Sequence, residues 1–251
     1  MADFQSFVQE ITGLGYVSRE SDFYYIHPKG PDVVFVPMGI MSHIVNSDRY
    51  TIIIHEDVWK FRSNAVINRL KALTGQTQRI HGRACKIKRI DKITAAAFLE
   101  NYHTAGHINS YYKYGIYFNQ ELLGVALFAK RRTFLTNDKS ATYHSSELTR
   151  FACKTGIRIV GGLEKVIQAF CLQYNIAHLM TYADREWTDG KTYFSLGFVK
   201  TGFTPPLTFW ASIKTGERLL YNDKNTQQQD DWSLKRNLGN LKLELIKNPR
   251  T

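Results

Sequence analysis

Between Ser145 and Gly202 the chain changes its apolar rhythm in an order that leaves few folds open. Glu147–Cys153 is short, mixes apolar and charged residues, and reads as a strand. A turn ending in Gly161-Gly162 follows, then a run whose Leu163, Val166, Ile167, Phe170 and Cys171 share one helical face. His178–Tyr182 is a short apolar strand. Ala183–Lys191 is a polar loop holding Asp184, Arg185, Glu186, Trp187 and Asp189, and a short helix and Leu196-Gly197-Phe198 close the stretch. Glycines just before a helix let the backbone approach an anion, and the unpaired N–H groups and dipole of the first turn favour negative charge there. The ordinary alternative for Gly161 and Gly162 is a plain turn.

Strand, glycine turn, helix, strand and a Tyr-x-x-x-Gly-Phe ending together resemble the cofactor half of the GNAT acyltransferase fold. A narrower resemblance rests on Glu147-Leu148-Thr149-Arg150, Tyr182-Ala183-Asp184, Gly190, and Tyr193 with Gly197-Phe198. These look like the phage Mom group of DNA-modifying proteins, which have a GNAT-like fold and alter adenine bases. The segment is also similar to the C-terminal domain of phage proteins that carry a Vsr-like or homing-type endonuclease domain in front. Their Asn-His-x-x-Gly loop, Glu-Leu-x-Arg-Phe strand, Val-x-Gly-Gly turn and Tyr-Ala-Asp-Arg-x-Trp loop are nearly all present. The resemblance runs from about Ile80 to Arg218, and weakly back to Tyr50. It implies an α+β fold with a GNAT-like mixed, mostly antiparallel sheet flanked by helices, and a phage or prophage source.

The 251 residues suffice for one large domain or two small ones. No apolar run approaches the ~18 residues that span a bilayer, and the start MADFQSFVQE has no basic segment followed by an apolar run, so no secretory signal is expected. Cys85, Cys153 and Cys171 are odd in number and scattered, which suits reduced thiols in a cytoplasm and gives no metal-ligand spacing. The net charge of +11 is unevenly placed: residues 1–83 carry 9 basic and 8 acidic side chains, residues 84–213 carry 16 and 9, and residues 214–251 carry 8 and 5. The excess sits on the GNAT-like part. With aromatic residues interleaved among the cations, it favours a polyanionic partner, DNA above all; a solvated basic surface that also takes an anionic cofactor is the alternative.

Three regions are expected. Residues 1–80 should form a small α+β domain: a helix over Phe4–Leu14, strands at Phe23–His27 and Val33–Met38 around a Pro28-Lys29-Gly30-Pro31 turn, a strand at Tyr50–His55 and a helix over Val58–Leu73. The run Ile52–Trp59 with Arg69-Leu70 resembles the last strand and helix of the Vsr-like domain. Asp32 can pass for its first metal-binding carboxylate, but no Glu-x-Lys follows, so the domain reads as a truncated nuclease fold used for binding or docking. Glu56 and Asp57 read as helix N-terminal acids. Residues 81–221 form the GNAT-like domain, entered through a polar connector at Gln76–Arg83. A strand at Cys85–Ile90, a helix at Thr94–Tyr102, the loop Asn101–Ser110 and a hairpin of Tyr112–Phe118 with Leu122–Ala129 lead to the cationic Lys130-Arg131-Arg132. Leu207–Ile213 and Arg218–Tyr221 form a last hairpin. Residues 222–251 read as a polar linker and a helix, from Leu234, Leu238, Leu241 and Leu245.

Group transfer onto an amine requires a held donor, a proton acceptor and protonation of the leaving group. Tyr193 stands where many GNAT enzymes keep the tyrosine that protonates a departing thiolate. Asp184 matches the acid of the Mom Tyr-Ala-Asp segment, and His103 has the natural pKa of a base at neutral pH. Arg150, Arg158, Gly161, Gly162 and Lys165 are the candidates to hold a cofactor, acetyl-CoA or another CoA thioester. Lys130, Arg131, Arg132, Arg185 and Trp187 are the candidates to bind nucleic acid, Trp187 by stacking on an unstacked base. Each has a plainer reading: Tyr193 as a core aromatic, Asp184 as a turn cap or partner of Arg185, His103 as a loop histidine, Glu147 and Arg150 as a surface ion pair. The turn Gly156–Gly162 also departs from the common Arg/Gln-x-x-Gly-x-Gly/Ala form.

Three functions follow: a Mom-like transferase acting on a base amine in DNA, a CoA-dependent N-acyltransferase acting on a protein, RNA or small amine, and a non-catalytic DNA-binding accessory. Loss of Asp184 and Tyr193 would spare only the last.

Overall fold

The computed structural model describes residues 2–19, 21–42, 48–136, 138–222 and 231–247. The chain opens with α1 (Ala2–Gly13), β1 (Val17–Arg19), β2 (Ser21–Ile26), β3 (Asp32–Val36), β4 (Thr51–His55) and α2 (Glu56–Leu73). Next come β5 (Gln78–His81), a 3-10 turn at Gly82–Ala84, β6 (Lys86–Arg89), α3 (Lys92–Tyr102), β7 (Tyr112–Phe118), β8 (Glu121–Phe128) and β9 (Arg132–Leu135). Then follow β10 (Thr142–Cys153), β11 (Ile157–Val160), α4 (Gly162–Tyr174), β12 (Ile176–Asp184), α5 (Lys191–Phe194) and β13 (Val199–Phe203). The chain closes with β14 (Thr208–Ser212), β15 (Arg218–Leu220), β16 (Trp232–Arg236) and β17 (Asn240–Ile246). None of the described helices is long and apolar enough to cross a membrane.

Two compact units result. The first takes Met1–Gln76, Asp184–Asp189 and Phe203–Asn240, the second Thr77–Ala183, Gly190–Gly202 and Leu241–Thr251.

In the first unit, β1-β2-β3-β4 form one sheet and β15-β14-β16 another. β2 and β3 are antiparallel around the proline-containing turn, and β3 runs parallel to β4. The apolar stripe of α1 and that of α2 bury Phe7, Ile11, Trp59, Val66 and Leu70 against Phe35, Ile52 and Ile54, with Phe7 edge-on to Trp59 at 5.2 Å. Asp32 is buried, accepts the Tyr24 hydroxyl at 2.5 Å and faces Arg49 at 3.3 Å. Its neighbours neutralise it as a structural carboxylate. Asp57 in the first turn of α2 takes two hydrogen bonds from Arg218, and the Glu56 carboxylate accepts the Met38 N–H at 2.6 Å.

The second unit is built on a mixed, mostly antiparallel, helix-flanked sheet in the order β13-β17-β12-β10-β8-β7-β6, with β9 pairing β10. The turn of the β7–β8 hairpin gives Asn119 and Gln120 positive φ values of 45° and 69°, as a tight turn of this twist requires. One face of the sheet packs on Val166, Ile167 and Phe170 of α4. The other packs on Ala95, Phe98 and Leu99 of α3. Asp91 caps α3 by accepting the Thr94 N–H at 2.8 Å.

Two segments differ from expectation. The helix expected over Ser233–Ile246 is instead two strands, β16 and β17. Leu241, Leu243 and Leu245 are buried in alternation with Asn240, Lys242 and Glu244, a period of two that the spacing of Leu234, Leu238, Leu241 and Leu245 conceals. Gly239 stands between them at φ +72°, where an added Cβ would lie 2.3 Å from the Thr204 carbonyl, so the backbone turns instead of coiling. Most of the expected linker, residues 223–230, lies outside the described residues, as do residues 248–251. The connector Gln76–Arg83 holds a strand as well: β5 pairs in parallel with β11.

Candidate functional site

β10 pairs with β8, β9 and β12 in the second unit. Against β8 its register slips between Leu148 and Arg150, which leaves Thr149 as the extra residue of a bulge. The bulge resets the alternation. Leu148 lies in the α4 core, and Phe151 and Cys153 beyond the bulge pack against that same core, while Ala152 joins the α3 core. The parallel pairing of β10 with β12 ends at the same place, with Leu148 facing Thr181. Past that pair the two strands continue without facing each other. The Thr181 hydroxyl donates to the Leu148 carbonyl at 2.8 Å and fixes where the strands part.

A cavity of about 560 Å³ lies beside the bulge, lined in part by Ser110, Tyr111, Lys113, Lys130 and Thr149. The Ser110 and Thr149 hydroxyls are 2.7 Å apart, and Lys113 Nζ donates to the Ser110 carbonyl at 2.5 Å. Lys130 sits over the Tyr111 ring at 5.8 Å from its centroid. Arg150 ties the loop after α3 to the bulge: Nε donates to the Gly106 carbonyl at 3.1 Å and Nη1 to the Thr149 carbonyl at 2.8 Å. The expected cofactor arginine is therefore engaged in building this wall. Alternation puts Glu147 on the face opposite Leu148. It is half-buried, and burial pushes its carboxyl above the ordinary glutamate value, with Arg150 and Arg132 partly offsetting this. Sequence pattern offers Glu147 only as an ion-pair partner; the signal that singles it out is desolvation, which a sequence does not display.

His103 ends α3 as its C-cap, and its Nδ1 accepts the Ala105 N–H at 3.0 Å. That bond leaves the proton of the neutral ring on Nε2, so His103 shapes the loop instead of offering a free base. Tyr193 lies in α5, half-buried against the α4-side core and edge-on to Phe198 at 5.7 Å. Its N–H and that of Phe194 are bonded to the carbonyl of Gly190, whose φ of +85° opens the helix.

The turn before α4 is a true helix start. Gly161 is the N-cap at φ +73°, and a Cβ at Gly162 would come within 2.5 Å of Ile159 Cγ2, so both positions demand glycine. The first N–H groups of α4 have no acceptor within the helix. Arg158 is exposed on β11. Lys165 is otherwise occupied: its Nζ donates to the carbonyls of Gly82 at 3.1 Å and Cys85 at 2.6 Å.

The loop of residues 184–189 belongs to the first unit. The Asp184 carboxylate accepts the Glu186 N–H at 2.9 Å. Its pKa is pushed up to about 7 by burial and by the nearby Glu186 charge, against that hydrogen bond and Arg218. Glu186 and His55 form a buried pair at 3.1 Å, and the Glu186 carbonyl accepts the Ile53 N–H. Trp187 is half-buried and packs against the α1–α2 core. Arg185 donates to the Leu238 carbonyl at 2.8 Å and lies over the Phe203 ring, so it also serves the unit's own structure. Lys130, Arg131 and Arg132 are exposed after β8, with Arg131 bonded to the Tyr174 carbonyl.

No family model and no curated protein matches the sequence. Among solved structures, the chain is similar to the histone acetyltransferase HPA2 and related acetyltransferase of Corynebacterium glutamicum, at 14% identity over 56% of this chain and TM-score 0.32. It spans 65% of that protein's length, less than two thirds. A GNAT family acetyltransferase from Elizabethkingia anophelis with acetyl-CoA bound matches at 11% identity over 65% of this chain and 98% of its own, with TM-score 0.37. The ribosomal-protein-S18-alanine N-acetyltransferase of Escherichia coli matches at 11% identity over 66% and 96%, again at 0.37.

Proposed function

We propose that the chain is a GNAT-like group transferase that takes a CoA thioester as donor and a base amine in DNA, of adenine in the Mom-like manner, as acceptor. One observation carries the reading: the β10 bulge at Thr149, the end of β10–β12 pairing at Leu148 and Thr181, and the glycine turn that opens α4 all belong to one run of chain. Strands that part, followed in the chain by a helix opened at a glycine turn, suit a long anionic donor, with the first-turn N–H groups of α4 and Arg158 as its holders. A bound CoA thioester would supply an acyl carbon open to attack by an amine.

The chain's own part is to position the amine and move two protons. The acceptor enters the cavity between Tyr111, Lys113, Lys130 and Thr149, where a planar base can lie against Tyr111 and a phosphate against the lysines. In that transfer Glu147 would take the proton of the amine and Tyr193 would give one to the leaving sulfur. The base is assigned to Glu147, whose half-buried carboxyl is raised, because the Asp184 carboxylate accepts the Glu186 N–H and the His103 Nδ1 accepts the Ala105 N–H. The exposed Lys130, Arg131 and Arg132 and the basic excess of residues 84–213 support a nucleic-acid acceptor.

Mass spectrometry of nucleosides from DNA of cells expressing the chain, beside Glu147→Gln and Asp184→Ala variants, tests this. A new nucleoside made by the parent and absent with Glu147→Gln is expected. Unchanged DNA at full expression, with acyl transfer to a protein, RNA or small amine, would move the function to that acceptor. Unchanged DNA and no transfer, with DNA binding intact, would leave a binding accessory.

A further inference from the structure

β9 and the first residues of β10 make a two-stranded ribbon. Its register sets Arg132 opposite Ser145, Thr133 opposite His144, Phe134 opposite Tyr143 and Leu135 opposite Thr142. β12 begins opposite His144, so the outer two pairs reach past the start of that neighbouring strand. All four residues of β9 are exposed, Phe134 at 44% and Leu135 at 58%. A two-stranded ribbon is marginal in water by itself, and these apolar side chains do not repay it by joining a core.

Residues directly opposite on an antiparallel pair share a face, and alternation along β10 adds Glu147 to the face of Tyr143 and Ser145. That face carries Phe134 and Tyr143, then Arg132 and Ser145, then Glu147, with about 13 Å of strand from Tyr143 to Glu147. The aromatic pair is braced from behind. The Phe134 and Tyr143 rings stack at 5.8 Å and 25°. Tyr143 stands edge-on to the His178 ring at 6.2 Å, and the two nitrogens of that ring are bonded to Ser145 Oγ at 2.8 Å and Glu244 at 3.3 Å. Lys130, Arg131, Arg132 and Lys139 stand on or beside the ribbon and form no ion pair among the described residues. The carboxylate of Asp138, in the turn, is taken up by the Thr136 and Ser140 hydroxyls.

We propose that this ribbon is a platform for the acceptor strand, on which an unstacked DNA base lies against Phe134 and its phosphate against Arg132, and which leads the strand along one face toward Glu147. The proposal rests on the DNA-acceptor reading above and deepens it by giving the strand a track outside the cavity. A braced, exposed ring beside unpaired cations matches the two parts of a nucleotide, and enzymes that act on a base must hold it out of the stack. An apolar peptide would cover the rings and leave the cations unpaired, and a free phosphate would satisfy the cations alone.

Fluorescence anisotropy of the full chain with labelled single-stranded DNA, an abasic strand of the same length, single-stranded RNA and a DNA duplex tests the platform. Phe134→Ala should weaken single-stranded DNA about tenfold and leave the abasic strand unchanged, because one base–aromatic stack is lost. Phe134→Trp should restore the affinity, with its added indole fluorescence quenched by the strand. Arg132→Ala should weaken the DNA and abasic strands alike and flatten the salt dependence. Phe134 is exposed, and a thermal melt checks the fold. Equal losses on the DNA and abasic strands with Phe134→Ala would overturn the platform and leave the rings as a prop for the ribbon. Single-stranded DNA held by Phe134→Ala as by the parent would overturn it and leave the DNA-acceptor reading standing. A parent that holds only the duplex would overturn it in favour of a groove contact. RNA held more tightly than DNA, with the same loss on Phe134→Ala, would support the platform and move the acceptor to RNA. A parent that binds no nucleic acid sinks both.

Discussion

Leu148 and Thr181 are the last residues to face each other across β10 and β12, and the Thr181 hydroxyl donates to the Leu148 carbonyl at 2.8 Å in a fully buried setting. The bond holds the point at which the two strands separate. Thr181→Val removes the donor at nearly constant volume. It should lower stability by about 1–2 kcal/mol, seen as a shift of the denaturant midpoint with an unchanged slope. An unaltered midpoint would show that the carbonyl finds another donor.

Glu147→Gln should lower kcat by about a hundredfold or more while leaving the melting temperature near that of the parent. The parent's kcat should rise with pH through an acid limb lying above the ordinary glutamate value, because only the deprotonated carboxyl accepts a proton and burial raises its pKa. The variant should lack that limb. Retention of the limb would place the base elsewhere.

Asp57 and Arg218 form a bidentate pair, at 2.6 and 3.0 Å, between residues 161 positions apart. Burial works against the Asp57 charge, but the hydrogen bonds and charge of Arg218 outweigh it and hold the pKa below the ordinary value. The pair therefore stabilises the first unit above the unfolded pKa, and that contribution is lost as pH falls through the lowered one. Asp57→Asn should cost about 3 kcal/mol at neutral pH, and a double-mutant cycle with Arg218→Ala should show strong coupling. Additive losses would refute it.

Asp184 has the opposite sign. Its folded pKa of about 7 lies above the unfolded value, so its contribution is fully present at acid pH and is lost as pH rises toward 7. Above pH 7, Asp184→Asn should gain a few kcal/mol relative to the parent, because a tenfold difference in proton affinity between the folded and unfolded chain is worth ~1.4 kcal/mol. Below pH 4 it should gain little. Urea melts across that range would show the two curves converging at the acid end. Parallel curves would mean that Asp184 is not desolvated.

Lys165→Met keeps the length of the side chain and removes its hydrogen bonds to Gly82 and Cys85. The 3-10 turn should loosen and the buried Cys85 thiol should react faster with a thiol reagent, while Cys171, within the α4 core, should not. Equal rates for Cys85 in parent and variant would show that packing alone holds the turn.

Much of the architecture was legible because it is written in local periodicity. The face Leu163, Val166, Ile167, Phe170 and Cys171 gave α4, the runs Tyr112–Phe118 and Leu122–Ala129 gave the β7–β8 hairpin, and two glycines gave the start of α4. The C-terminal pair of strands was hidden because leucines at positions 234, 238, 241 and 245 satisfy a helical spacing while 241, 243 and 245 satisfy a strand. Only a sheet edge decides between them. β5 was hidden because it has one buried residue, Ile80, and pairs as a strand only through β11, far along the chain.

By itself the sequence determined most of the helices and strands up to Tyr221, where the basic excess lies, and that a glycine turn opens a helix after a strand. Those properties depend on neighbours within a few residues. Tertiary structure decided which polar groups are free. Asp184, Arg185 and Trp187 are drawn into the first unit's own bonds and core, and Lys165 into carbonyl contacts about eighty positions away in sequence. Glu147, by contrast, became a desolvated acid, and Asp57 met Arg218. Desolvation and the meeting of charges depend on distances in space, which chain-local patterns do not contain.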